Sequence, residues 1–130
     1  MQHDEFVGHV QNRARLASRG EALRAIRATL ETLGERLAGG EAEDLAAQLP
    51  PEIGDYLREV ESDGSFSLDT FFDRVAEREG TDLPVAVHHA RAVVAVLQEA
   101  VSAGEMEDVR AQLPEEYNPL FESGSEGSLT

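Results

Sequence analysis

Apolar residues along this chain recur at helical spacing, and no stretch alternates with the period of two that a strand requires. Phe6, Val7, Val10 and Ala14 form the first stripe. Ser18-Arg-Gly-Glu21 then reads as a capping box, with Ser18 at the N-cap and Glu21 three residues on. A long helix follows to about Leu37, with Ala22, Leu23, Ile26, Leu30, Leu33 and Leu37 on its apolar side, and Gly39-Gly40 stops it. A short helix is expected over Glu41–Gln48, its acids in the first turn where the helix dipole favours them. Pro50-Pro51 ends it and starts a further turn through Asp55–Glu59.

The plan then recurs. Ser67 caps a helix running to about Glu79 and closed by Gly80; Thr81 or Asp82 caps a second long helix with Pro84 in its first turn. Val85, Val87, Val93, Val94, Val96, Leu97 and Val101 make that helix apolar nearly all round, which predicts a central buried element. A second short helix is expected over Glu105–Gln112 and a second closing turn over Pro114–Phe121.

The recurrence is also one of identity. Residues 40–53 return as residues 104–117 with nine of fourteen positions unchanged, at an offset of 64. The same offset aligns Ala22 with Ala86, Arg27 with Arg91, Leu30 with Val94 and Leu33 with Leu97; one gap aligns Phe6, Val7 and Val10 with Phe71, Phe72 and Val75. The expectation is an all-α helical bundle made of two tandem copies of a three-to-four-helix unit, related by pseudo-twofold symmetry. The units span about 4–61 and 67–121 of a single domain, 1–122. The glycine- and serine-rich tail, 123–130, reads as disordered.

Composition narrows the chemistry. Twenty-six acids face eleven basic residues, for a net charge of −15, and every basic residue is arginine. Such a field repels polyanions and favours a salt-rich solvent, in which its self-repulsion is screened. The reading is a soluble, cytoplasmic, halophilic protein that binds neither nucleic acid nor membrane, as monomer or homodimer. Without cysteine there is no disulfide and no thiolate nucleophile; without lysine there is no P-loop; no Gly-x-Ser-x-Gly elbow occurs. Six of the arginines fall within residues 1–36 against five acids, which allows a dimer contact, pairing between the halves or a nucleic-acid patch. Helical spacing favours local pairs with Glu21, Glu31 and Glu35.

Two motifs invite a metal reading and fail on their details. Residues 59–70 place oxygen ligands at the odd positions of an EF-hand-like loop and Gly64 at the sixth. However, Glu59 is too long for the first position and Thr70 cannot supply the bidentate carboxylate of the twelfth, so Asp63-Gly64 reads as a turn. His88 and His89 point about 100° apart on a helix and have no carboxylate or histidine one turn away. Glu5 and His9 read as a surface pair. The acid clusters Glu41/Glu43/Asp44 and Glu105/Glu107/Asp108 are accounted for by the helix dipole. No catalytic, metal or cofactor residue is assigned.

The segments Arg24-Ala-Ile-Arg-Ala-Thr-Leu-Glu-Thr-Leu and Gly40-Glu-Ala-Glu-Asp-Leu-Ala-Ala-Gln-Leu-Pro, with the echo of the latter, resemble the domain of unknown function 2267 family, in a haloarchaeal-type form. The resemblance covers about residues 4–121. It implies a small helical prokaryotic protein and carries no activity across. The function expected is therefore a non-enzymatic interaction module for an unidentified protein partner. Its candidate surface is the arginine side of residues 13–36 (Arg13, Arg24, Arg27) or the paired acidic helices (Glu43, Asp44, Glu107, Asp108). The alternative is a small-molecule or ion-binding domain with a pocket between the two units near His88 or His89.

Overall fold

The computed structural model describes residues 1–122, and the tail read as disordered lies outside them. Eight α-helices follow one another: α1 (His3–Arg13), α2 (Arg19–Arg36), α3 (Glu41–Ala46), α4 (Pro51–Arg58), α5 (Leu68–Glu79), α6 (Leu83–Ala100), α7 (Ala103–Ala111) and α8 (Asn118–Phe121). A 3₁₀ turn over Glu115–Tyr117 precedes α8, and no strand occurs among the described residues.

The helix ends follow local chemistry. Ser18 Oγ accepts the Glu21 N–H at 3.2 Å, as the capping box requires, but the Glu21 carboxylate accepts from Ala17 N, one residue before the expected donor. At the end of α1, Leu16 N–H reaches Gln11 C=O (2.9 Å) and Arg15 N–H reaches Asn12 C=O (3.2 Å), the two bonds of a Schellman stop. The left-handed residue there is Arg15, φ 57°, where glycine is the usual occupant. Asp82, rather than Thr81, caps α6. α3 ends at Ala46, two residues short of expectation, because the chain tightens ahead of Pro50: Gln48 N–H bonds to Leu45 C=O and Leu49 N–H to Ala46 C=O. α7 starts two residues early because Ser102 caps it.

α2 packs against α1, α4, α5 and α6, and α6 against α1, α2, α5 and α8. Between them lies one cluster of buried side chains, from Phe6, Ile26 and Leu30 through Phe71 and Val93 to Tyr117 and Leu120. α6 is buried on every side from Ala92 to Leu97, as its composition predicts. Its first turn is not, since Leu83 and Val85 are exposed. Gly34 lets α2 and α4 approach closely: a Cβ there would lie 2.7 Å from Leu57 C=O and 2.6 Å from Val60 Cγ2. No helix among the described residues is long and apolar enough to cross a membrane.

Candidate functional site

Two surfaces bring charged groups together. The first is the face shared by α2 and α5. Arg78 of α5 reaches Glu35 of α2 with two hydrogen bonds, Thr32 Oγ1 at 2.8 Å and Glu31 at 3.4 Å. Arg74, one turn earlier, holds Glu35 at 3.1 Å and Asp63 at 2.9 Å. The hydrogen bonds from Arg78 hold the Glu35 carboxyl below the usual glutamate range; its burial acts in the opposite direction, and Arg74 adds to the lowering. Beside this network a pocket of about 390 Å³ opens between α2 and the end of α5, lined by Arg24, Arg27, Ala28, Glu31, Arg78, Glu79 and Gly80. Arg27 is engaged with Glu31 at 3.1 Å. Arg24 is exposed and has no carboxylate partner among the described residues.

The arginine-rich segment pairs partly within itself and partly with the other half of the chain. Arg27 pairs locally with Glu31 and Arg19 with Asp4 at 2.7 Å, whereas Glu35 goes to α5 and Arg13 reaches Glu99 on α6 at 2.5 Å. Glu5 and His9 do not pair: Glu5 turns back to Gln2 N at 3.0 Å, and His9 lies 3.8 Å from Glu99. His89 is bonded to buried Glu79, which lines the pocket from behind; His88 meets the Ala14 carbonyl at 3.2 Å. His89 has no carboxylate one turn away on its own helix, and Glu79 comes to it from the preceding one. In the loop resembling an EF-hand, two of the five candidate ligand groups, Asp63 and Ser67, are engaged elsewhere. Asp63 is tied to Arg74, the Phe66 carbonyl accepts from Arg36 and Tyr117, and Ser67 caps α5.

The second surface is the junction of α3 and α7. Glu43 pairs with Arg58 at 3.2 Å, and Asp44 and Glu107 are exposed. Asp108 is drawn into a group that the sequence did not assign. One oxygen each from Glu41, Glu105 and Asp108 lies within 4.8 Å of the other two. Glu105 is 8% exposed, and the Oε2 atoms of Glu41 and Glu105 are buried with no hydrogen-bond partner. Burial first, then Glu41, Asp108 and Asp44, push the Glu105 carboxyl up to about 7. Glu41 and Glu105 occupy the same place in the repeated segment. The signal was on the page as two matching acidic turns, but nothing in the sequence says that those turns face each other.

Two glutamines fasten this junction. Gln48 Oε1 accepts Ser102 N–H at 2.8 Å, while Gln112 accepts Ala38 N–H and donates to Ala38 C=O, both at 2.9 Å.

A comparison with curated proteins returns no match. The family model described as an uncharacterized conserved protein, DUF2267, matches residues 3–120, nearly the full described chain. The chain belongs to the DUF2267 family.

Proposed function

We propose that this protein is a non-enzymatic interaction module of a salt-adapted prokaryotic cytoplasm, built from two helical units about a pseudo-twofold axis. It holds an acidic segment of a partner protein at the pocket between α2 and α5. One observation carries the reading: in a chain of net charge −15, Arg24 stands at a concavity without a carboxylate, beside Arg27 and Arg78. Arg24 has no carboxylate partner among the described residues, so at this concavity its guanidinium is available to a partner's carboxylate. The matching Gln48 and Gln112 contacts, 64 residues apart in sequence, support the twofold arrangement.

The test is capture from a source lysate at native salt, with the wild type beside R24E/R27E. A stoichiometric partner that the variant loses supports the module. A partner retained equally by both rules out this surface. Salt adaptation has its own test: the melting temperature falls as salt is withdrawn, because the Debye length grows from about 3 Å at 1 M to about 30 Å at 0.01 M and unscreens the acids. An unchanged melting temperature and full helicity without salt would overturn it.

A further inference from the structure

The α3–α7 junction differs from a solvated acidic patch in where its central carboxylate points. Ser102-Ala-Gly-Glu105 is a capping-box sequence, in which the glutamate ordinarily folds back onto the N-cap N–H. Only half of that box forms. Ser102 Oγ accepts Glu105 N–H at 3.1 Å, but Ser102 N–H is taken by Gln48 Oε1. The Glu105 carboxylate is thereby left out of the helix cap and turned inward, nine-tenths buried, with Oε2 unpartnered and aimed at Glu41 and Asp108.

A buried carboxylate facing two others is stabilised by a proton or by a cation lying between them. No arginine does so: Arg58 is bound to Glu43 and Asp55, and Arg110 is turned to Asn118 and the Phe121 ring. We propose that Glu41, Glu105 and Asp108 form a binding site for a hard divalent cation, clamping α3 to α7. The donors are all carboxylate oxygens with no nitrogen or sulfur, which selects the calcium and magnesium class over zinc or copper. Their mutual separations, all within 4.8 Å, are close enough for the three oxygens to share one ion with bonds of about 2.1–2.4 Å. Asp44, whose charge also acts on Glu105, adds negative potential at the rim, and water completes the coordination.

The site is tested by calorimetric titration of the full chain with calcium chloride, then magnesium chloride, at pH 8, with thermal melts in parallel. The variants are E105Q and E41Q. Both replace a carboxylate by a similarly shaped amide in a crowded acidic setting, so neither should prevent folding, and melts without calcium verify this. The wild type is expected to bind one calcium or magnesium ion and to melt at a higher temperature when loaded. Each variant should weaken binding at least tenfold, the scale on which even outer partners of a metal ligand act. Absence of heat and of any melting shift overturns the site. Binding that E105Q and E41Q retain in full assigns it to the general acidic surface and overturns the site equally.

Discussion

Arg78 grips Glu35 at both oxygens, Nη1 to Oε1 at 2.8 Å and Nη2 to Oε2 at 2.7 Å, joining helices whose residues are 43 apart in sequence. The two-bond geometry suits the planar guanidinium, and the Glu35 carboxylate is partly buried and shared with Arg74, so this pair outweighs an isolated surface one although Arg78 is exposed. Replacing Glu35 with Gln removes the charge while Arg74 and Arg78 stay in place. The expected loss is about 2 kcal/mol, the scale of a hydrogen bond to a charged group, read as a lower denaturation midpoint. Acid acts in the same direction. Because the folded state holds the Glu35 carboxyl below its unfolded range of about 4.3, its contribution is complete above that range and is lost as the pH falls through the lower folded value. E35Q should show a shallower loss of stability below pH 4 than the wild type.

Gly34 and Gly8 both lie in helices, and alanine should act on them oppositely. Helix propensity alone favours alanine over glycine by about 1 kcal/mol. At Gly8 a Cβ meets nothing within 4 Å, so G8A should raise the melting temperature. At Gly34 the Cβ would press on the Leu57 backbone, which cannot swing away as a side-chain tip can, and overpacking of this kind costs about 1–3 kcal/mol. G34A should therefore melt below the wild type. Equal gains from both would show that α2 and α4 separate easily.

The helices, their order and most of their caps were legible because each depends on residues within a turn or two: Ser18, Ser67, Asp82, Pro51 and Pro84 act on their own neighbours. What the sequence concealed comes from longer range. Glu35 was placed with nearby arginines and is instead held from α5; His89 finds Glu79 across a helix junction; Ala14 and Arg15 close α1 without a glycine. The acids of α3 and α7 carry the same lesson. Their helix-end positions explain why acids occur there, but the burial of Glu105 depends on α3 lying against α7, and on Gln48 taking the cap that Glu105 would otherwise complete.

Glu105 gives the protein a second pH dependence, opposite in sign to that of Glu35. Its carboxyl titrates near 7 when folded and about 4.3 when unfolded, so between those values the native state binds the extra proton. Where the native state holds more protons, unfolding free energy falls as pH rises. Without calcium, stability should decline from about pH 5 to pH 8, and E105Q should flatten that decline and melt above the wild type at pH 8. Denaturant midpoints at pH 5.5 and 8 for the two proteins decide it. Parallel behaviour would mean that Glu105 is ionised in the folded protein throughout.

Cutting the chain after Asp63 asks whether residues 1–63 can fold alone. They contain α1 to α4, yet α1 lies on α6, α2 on α5 and α6, and α3 on α7. Phe6, Val7 and Ile26 belong to a cluster completed by Phe71, Val93 and Leu97, all of which the cut removes. The fragment would also lose the Arg74 and Arg78 partners of Glu35 and the Gln112 bonds to Ala38, leaving polar groups to water and apolar faces uncovered. Near 60 residues, a domain already buries so little surface that it is marginal with a complete core. The fragment is therefore expected to show weak helicity and no cooperative melt by circular dichroism at high salt, and mixing it with residues 64–130 should restore both. A cooperative transition from the fragment alone would mean that the two units are independent domains.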